Sequence, residues 1–137
     1  RFGDPECQTL MTRWKGSILP LIQGSARGDF AGLAPEWEAP ASLCVVLASG
    51  GYPGRYEKGK PIHGLDEAAA LPQVTVFHAG TALDGDQVVT SGGRVLSVTA
   101  IGQTIDEAAE RAYAAVDRIE FEGKQVRRDI GHRARTR

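Results

Sequence analysis

Residues 43–49, LCVVLAS, form a short, continuous apolar run that is closed on its far side by GGYPG. A run of this length bounded by turn formers is expected to be a buried strand. Residues 73–79 alternate Val74, Val76 and His78 against Thr75, Phe77 and Ala79, the period of a second strand with two unlike faces. Gln87–Ser91 and Arg94–Ala100 flank the Gly92–Gly93 pair, a spacing that predicts a tight hairpin between two further strands. A helix follows. Thr104 and Glu107 make a T-x-x-E capping box, and Ile105, Ala108, Ala109, Ala112 and Val116 recur on one helical face. Hairpin-linked strands with one amphipathic helix predict an α+β fold, a mainly antiparallel sheet with a packed helix.

The first forty residues read differently. Asp4 is placed to cap a helix with Pro5 at its first position. Cys7, Leu10, Met11 and Trp14 share a face, and Ile18, Leu21 and Ile22 continue the stripe. Gly16 and Pro20 interrupt it, so two short helices or one bent helix are expected, with Pro20 able to sit in a first turn. Gly, Ala and Pro crowd residues 24–40, with Phe30, Leu33 and Trp37 scattered among them, and a short helix followed by a connection is expected. The division predicted is therefore an N-terminal helical segment, 1–40, and a sheet-and-helix unit, 41–137. The remainder, IEFEG and then QVRRDIGHRARTR, reads as a last short strand or turn followed by a basic tail.

Composition excludes several functions. Sixteen basic against seventeen acidic residues leave a formal net charge of −1, so there is no chain-wide field to draw the protein to nucleic acid or an anionic membrane. The basic tail has no interleaved aromatic platform of the kind that binds single strands. No stretch approaches the roughly 18 apolar residues of a membrane span. Cys7 and Cys44 are too few and too unlike in context for a disulfide framework or zinc site, and two buried thiols in a reducing compartment are expected. Ser, His and Asp never fall in an arrangement that suggests a hydrolase triad.

Among individual residues, Arg1 offers a planar, permanently charged fork for a phosphate or carboxylate, although a lone terminal arginine is ordinarily a surface group. Glu6 suits a helix start, where its charge complements the dipole. The glycines of Ser49-Gly50-Gly51-Tyr52 allow backbone amides to approach a ligand, with a plain tight turn as the competing explanation. Arg55 and Lys58 read as a solvated loop face. His78, beside Val74 and Val76, reads as a core or interface histidine, and Arg94 as either a cleft contact or a surface strand arginine.

Five blocks occur in order: RFGDPE at 1–6, LASGGYPGRYEKG at 47–59, VFHAGT at 76–81, GGRVLSVTAIG at 92–102, and RRDIG at 127–131. Together they resemble the C-terminal part of the phosphoribosylamine–glycine ligases, ATP-grasp enzymes of purine biosynthesis. The resemblance implies an ATP-dependent carboxylate–amine ligase. ATP phosphorylates glycine, and the amine of 5-phosphoribosylamine attacks the acyl phosphate to give glycinamide ribonucleotide, ADP and phosphate, with magnesium as the metal and the cytoplasm as the compartment. It implies Arg1 as a catalytic contact, and Arg1, Gly3, Asp4, Pro5, Glu6, Ser49, Gly50, Gly51, Tyr52 and Arg94 as substrate-binding positions. It also places a metal-binding Glu and Asn ahead of Arg1, so that this chain is expected to carry no metal ligands, to need upstream ATP-grasp domains as partners and to be inactive alone. A non-catalytic docking module, or the C-terminal domain of another ATP-grasp ligase, are the alternatives, and RFGDPE argues against the latter.

Overall fold

The structure, a computed structural model, describes residues 3–135. Helix α1 (Glu6–Arg13) and helix α2 (Leu19–Arg27) come first, separated at Gly16 as the interrupted stripe requires, and Pro20 lies in the first turn of α2. Gly28, at φ +70°, ends α2 in the left-handed conformation that satisfies its last carbonyls. The chain then returns alongside its own start. Glu38 N donates to Arg13 O and Lys15 N donates to Glu36 O, while Trp14 and Trp37 meet edge to face with centroids 5.4 Å apart.

Strand β1 (Ala41–Ala48), helix α3 (Leu65–Ala69) and strand β2 (Val74–His78) lead to β3 (Thr81–Asp84) and β4 (Gln87–Thr90). Strand β5 (Arg94–Gly102), helix α4 (Ile105–Val116), the two-residue β6 (Gln125–Val126) and the short α5 (His132–Arg135) complete the order. The main sheet is fully antiparallel, in the order β2-β5-β1-β6, and β3 and β4 form a separate two-stranded sheet.

This topology corrects the hairpin expectation. The Gly92–Gly93 pair does not join two paired strands; β4 pairs with β3, and β5 pairs with β1 and β2. The tight hairpin lies at Gly85–Asp86, where the register closes at Asp84 opposite Gln87 and Gly85 takes φ +58°. Gly92 has another task. A Cβ on it would fall 2.9 Å from the Gly80 Cα, so the pair marks a backbone crossing where the chain passes from the small sheet into the large one.

The capping box forms with one change. Thr104 Oγ1 accepts from Glu107 N at 3.2 Å, but the Glu107 carboxylate reaches back to Gln103 N, at 2.9 Å, rather than to the cap residue itself. Ala108, Ala109, Ala112, Ala115 and Val116 are all buried against β5 and β1. Their small side chains let the helix lie close on Leu43, Val45, Leu47, Leu96 and Val98, which form the core with Ile119 and Phe121. Burying side chains of this size contributes roughly 1.5–3 kcal/mol each relative to exposure.

Helix α1 crosses the opposite face of the same two strands, yet none of its residues is fully buried. Ser42 Oγ donating to Thr9 O and Arg13 Nε donating to Ala39 O tie it down. Its start corrects the cap assignment: Pro5 occupies the cap position, no side chain caps the helix, and the Asp4 carboxylate is engaged elsewhere.

Candidate functional site

Alternation along β1 sends Leu43, Val45 and Leu47 to the α4 side and Cys44, Val46 and Ala48 to the other. Helix α1 covers only part of that second face. Next to it a groove of about 490 Å³ remains, with Cys44, Val46 and Ala48 as floor, Pro5, Tyr52 and Arg94 on one side, and Gln125, Val126, Arg127 and Ile130 on the other. Four of the five sequence blocks meet here: Pro5 from RFGDPE, Tyr52 from the GGYPG loop, Arg94 from GGRVL, and Arg127 with Ile130 from RRDIG. The fifth supports them from behind, through Gly80 O accepting from both Ser91 N and Gly92 N.

Arg94 faces the groove because of an irregularity. The β1–β5 register runs Leu47 opposite Leu96 and then Ala48 opposite Arg94, so one residue of β5 is extra. Simple alternation back from Leu96 would turn Val95 toward the groove and Arg94 toward α4. The bulge absorbs Val95, which is completely buried, and re-aims the arginine. Its Nη2 then lies 3.0 Å from Asp4 Oδ2, while Asp4 Oδ1 accepts from Gln8 Nε2 at 2.9 Å.

The loop residues divide. Ser49 is buried and turned inward, its Oγ donating to Gly92 O and its N to Gly93 O, both at 2.8 Å. Gly50 packs on Gly123 and borders a separate small depression with Lys60, Glu57 and Glu122. Gly51, at φ +95°, has no room for a side chain, since a Cβ would sit 2.2 Å from Arg55 O. Tyr52 alone of the four lines the groove, its ring resting on Gly93, where a Cβ would come within 2.3 Å of Tyr52 Cδ2. Gly3 O accepts from Cys7 N at the start of α1, and Glu6 borders a shallower hollow shared with Pro5 and Ile130. Arg1 lies outside the described residues.

The opposite wall was not legible as a wall. RRDIG reads from sequence as the start of a basic tail, but Arg127 and Arg128 are each committed to an aspartate. Arg127 makes a bidentate pair with Asp129 at 2.9 and 2.7 Å, and Arg128 pairs with Asp117 at 2.5 Å while lying over the Tyr113 ring. The pairing holds the Asp129 carboxyl below the usual carboxylate range and raises both guanidinium groups. At the floor, burial pushes the Cys44 thiol up, opposed by the neighbouring Thr99 and Ser97 hydroxyls, so the groove has a neutral, apolar base.

Two further expectations need correcting. His78 is exposed at the end of β2, an edge strand of the main sheet, and bonds Thr81 Oγ1 through Nδ1 at 2.9 Å, so it is not a core histidine. Of the two free cysteines, Cys44 is buried and Cys7 only half-buried, since α1 lies over the sheet without being enclosed.

The described residues do not make a magnesium site. No group of three or more His, Cys, Asp or Glu side chains gathers among them, and Asp4 beside the groove is already shared between Gln8 and Arg94, whereas magnesium needs oxygen ligands arranged octahedrally. The groove thus offers an apolar floor with an arginine on each side, each arginine paired with an aspartate.

Fold and groove together define an α+β domain whose antiparallel sheet is covered by a helix on one face and carries an arginine-edged cleft on the other. The family described as phosphoribosylglycinamide synthetase, C domain, matches residues 42–133, and the chain belongs to that family. It is 52% identical over 134 residues to the phosphoribosylamine–glycine ligase of Rhizobium meliloti, an alignment covering 98% of this chain and 31% of that protein. The chloroplastic phosphoribosylamine–glycine ligase of Arabidopsis thaliana is 49% identical, over 98% of this chain and 26% of its own length. The crystal structure of phosphoribosylamine–glycine ligase from Thermotoga maritima superposes with a TM-score of 0.73 at 35% identity, covering 93% of this chain and 30% of that one. The chain thus spans about a third of the length of the relatives it matches.

Proposed function

We propose that this chain forms one wall of the active cleft of a phosphoribosylamine–glycine ligase, which uses ATP and magnesium to join glycine to 5-phosphoribosylamine and releases glycinamide ribonucleotide, ADP and phosphate. The supporting observation is the meeting of four separated sequence blocks at a single groove edged by Arg94 and Arg127. Residues that serve only the core have no reason to gather on the face of the sheet away from it.

In this reading ATP supplies the phosphoryl group that activates the glycine carboxylate. The chain's own residues bind and orient. Arg94, kept in place by Asp4, and Arg127, kept in place by Asp129, hold the anionic phosphate of the sugar substrate, a geometry suited to the guanidinium fork. Tyr52 and the floor of Cys44, Val46 and Ala48 keep water from the cleft, which protects an acyl phosphate from hydrolysis. Arg1, Gly3 and Glu6 remain candidates for substrate contact in the complete cleft, as do the amides of Ser49, Gly50 and Gly51. The nucleotide and metal sites belong to the rest of the ligase polypeptide, and the working compartment is the cytoplasm, where two free thiols stay reduced.

The division at residue 40 fits the same reading, with 1–40 closing an ATP-grasp domain and 41–137 forming the C-terminal one. Leu19, Ile22, Phe30 and Trp37, all substantially exposed, lie in the first segment and supply an apolar surface for that domain.

Glycine-dependent ADP release tests the proposal. The chain alone should show none; the full ligase polypeptide containing it should show release that requires both glycine and phosphoribosylamine. Release that is indifferent to glycine in the full polypeptide would overturn the reading.

A further inference from the structure

We propose that Tyr113, on α4 and not itself a lining residue of the groove, is a positioning residue for the groove's far wall. The inference rests on the reading of the groove as a substrate cleft. One phenol serves two partners in the RRDIG segment: Tyr113 Oη donates to Arg127 O at 3.0 Å and accepts from Ile130 N at 3.1 Å. Arg127 and Ile130 are the residues through which that segment lines the groove. A single side chain therefore closes both ends of the turn that carries the wall.

The rest of the segment is fastened to the same helix and strand. Arg128 lies with its guanidinium carbon 5.6 Å from the Tyr113 ring centroid and pairs with Asp117 at the end of α4. Gly131, at φ +80°, lets the chain pass against β1, where a Cβ would come 2.7 Å from Leu43 Cδ1. These contacts set where the segment lies. The phenolic oxygen sets how it is turned, because it holds the peptide groups on either side of Arg128 and Asp129, and so fixes the backbone from which Arg127 and Ile130 line the groove. Without it both peptide groups can turn to water, since Arg127 is exposed and Ile130 half-buried.

The contribution is thus to binding geometry, not to folding or to the bond-making step. In the full ligase polypeptide, Tyr113→Phe keeps the ring, its packing and the Arg128 contact while removing only the oxygen. KM for phosphoribosylamine should rise about tenfold with kcat changed less than about twofold, the pattern of a lost ground-state binding interaction. KM for ATP should be unchanged.

Arg94→Ala in the same polypeptide separates the two layers of the argument. If Arg94→Ala raises KM for phosphoribosylamine and Tyr113→Phe does not, the positioning role fails and the cleft reading stands. If Arg94→Ala changes neither KM nor kcat, the cleft reading fails and the role of Tyr113 falls with it. A Tyr113→Phe protein whose kcat drops in proportion to its folded fraction, with KM unchanged, assigns the residue to stability alone and likewise overturns the proposal. Should Tyr113→Phe not fold, Tyr113→Leu, which fills part of the same space without a polar edge, serves in its place, with the same KM rise expected and an unchanged KM counting against the role.

Discussion

Arg94 stands opposite Ala48, one residue out of step with the ladder that pairs Leu47 with Leu96. The slip costs β5 one regular pairing and delivers a guanidinium group to the groove, with the Asp4 carboxylate 3.0 Å away to receive it. Bulges bend a strand and redirect a side chain, and here the redirected side chain is the one that could not have been tolerated against α4.

The Asp4–Arg94 pair should matter for binding far more than for stability. Both side chains are about two-fifths exposed, and pairs of that kind contribute at most about 1 kcal/mol to folding. Arg94→Ala should therefore leave the thermal unfolding midpoint almost unchanged. In the full ligase it should raise KM for phosphoribosylamine about tenfold or more, since a hydrogen bond to a charged group contributes roughly 1.5–3 kcal/mol. Unfolding scans and steady-state kinetics on one preparation check both halves.

Gly51 answers to backbone geometry. At φ +95°, with Arg55 O where a Cβ would go, Gly51→Ala is expected to cost roughly 2–4 kcal/mol of stability or to prevent folding. Denaturant titration measures it. A folded Gly51→Ala protein of wild-type stability would show that the loop can rearrange.

Acid should break the Arg127–Asp129 pair late. The Asp129 carboxyl is held below its ordinary value by Arg127, so the pairing is fully present above the ordinary carboxylate range and is lost only as pH falls through the depressed folded value. The carbon resonance of that carboxyl, followed by NMR against pH, should titrate below those of unpaired aspartates. An ordinary midpoint would contradict the bidentate pair.

Helix α1 should exchange its amides faster than β1. It lies on the sheet with no fully buried residue, while β1 is the inner neighbour of β5 with Val45 and Leu47 completely enclosed. Hydrogen exchange read by mass spectrometry resolves the two segments. Equal protection would mean that α1 opens only with the whole domain. Leu47→Ala, by contrast, should lower global stability by about 2–5 kcal/mol.

Local chemistry made a good deal of this legible. The apolar run of β1, the two-sided β2 and the Thr104 cap each depend on residues within a few positions of one another, and each forms where its pattern lies. The break at Gly16 separates α1 from α2 for the same local reason. Partner choice was less legible. Gly92–Gly93 looks like a hairpin because two glycines between extended segments satisfy the local rule, yet β4 and β5 belong to different sheets. Asp-Gly-Asp at 84–86 was the turn signal that applied. Asp4 looks like a cap, but its carboxylate is engaged by Arg94 and Gln8 instead.

What the sequence determined by itself, then, is most of the elements, though not α3, β3 or α5, and the family, because helical period, strand alternation, caps and ordered blocks are all written along the chain. What only the tertiary structure decided is which face each block looks toward. RRDIG became a wall because Tyr113 on α4 and Asp117 at its end offer a phenol and a carboxylate to its backbone and to Arg128. Arg94 became a groove residue because the ladder slips at Ala48. Both outcomes are set by contacts between residues distant in the chain, whose energies exist only once the sheet and α4 have closed on one another.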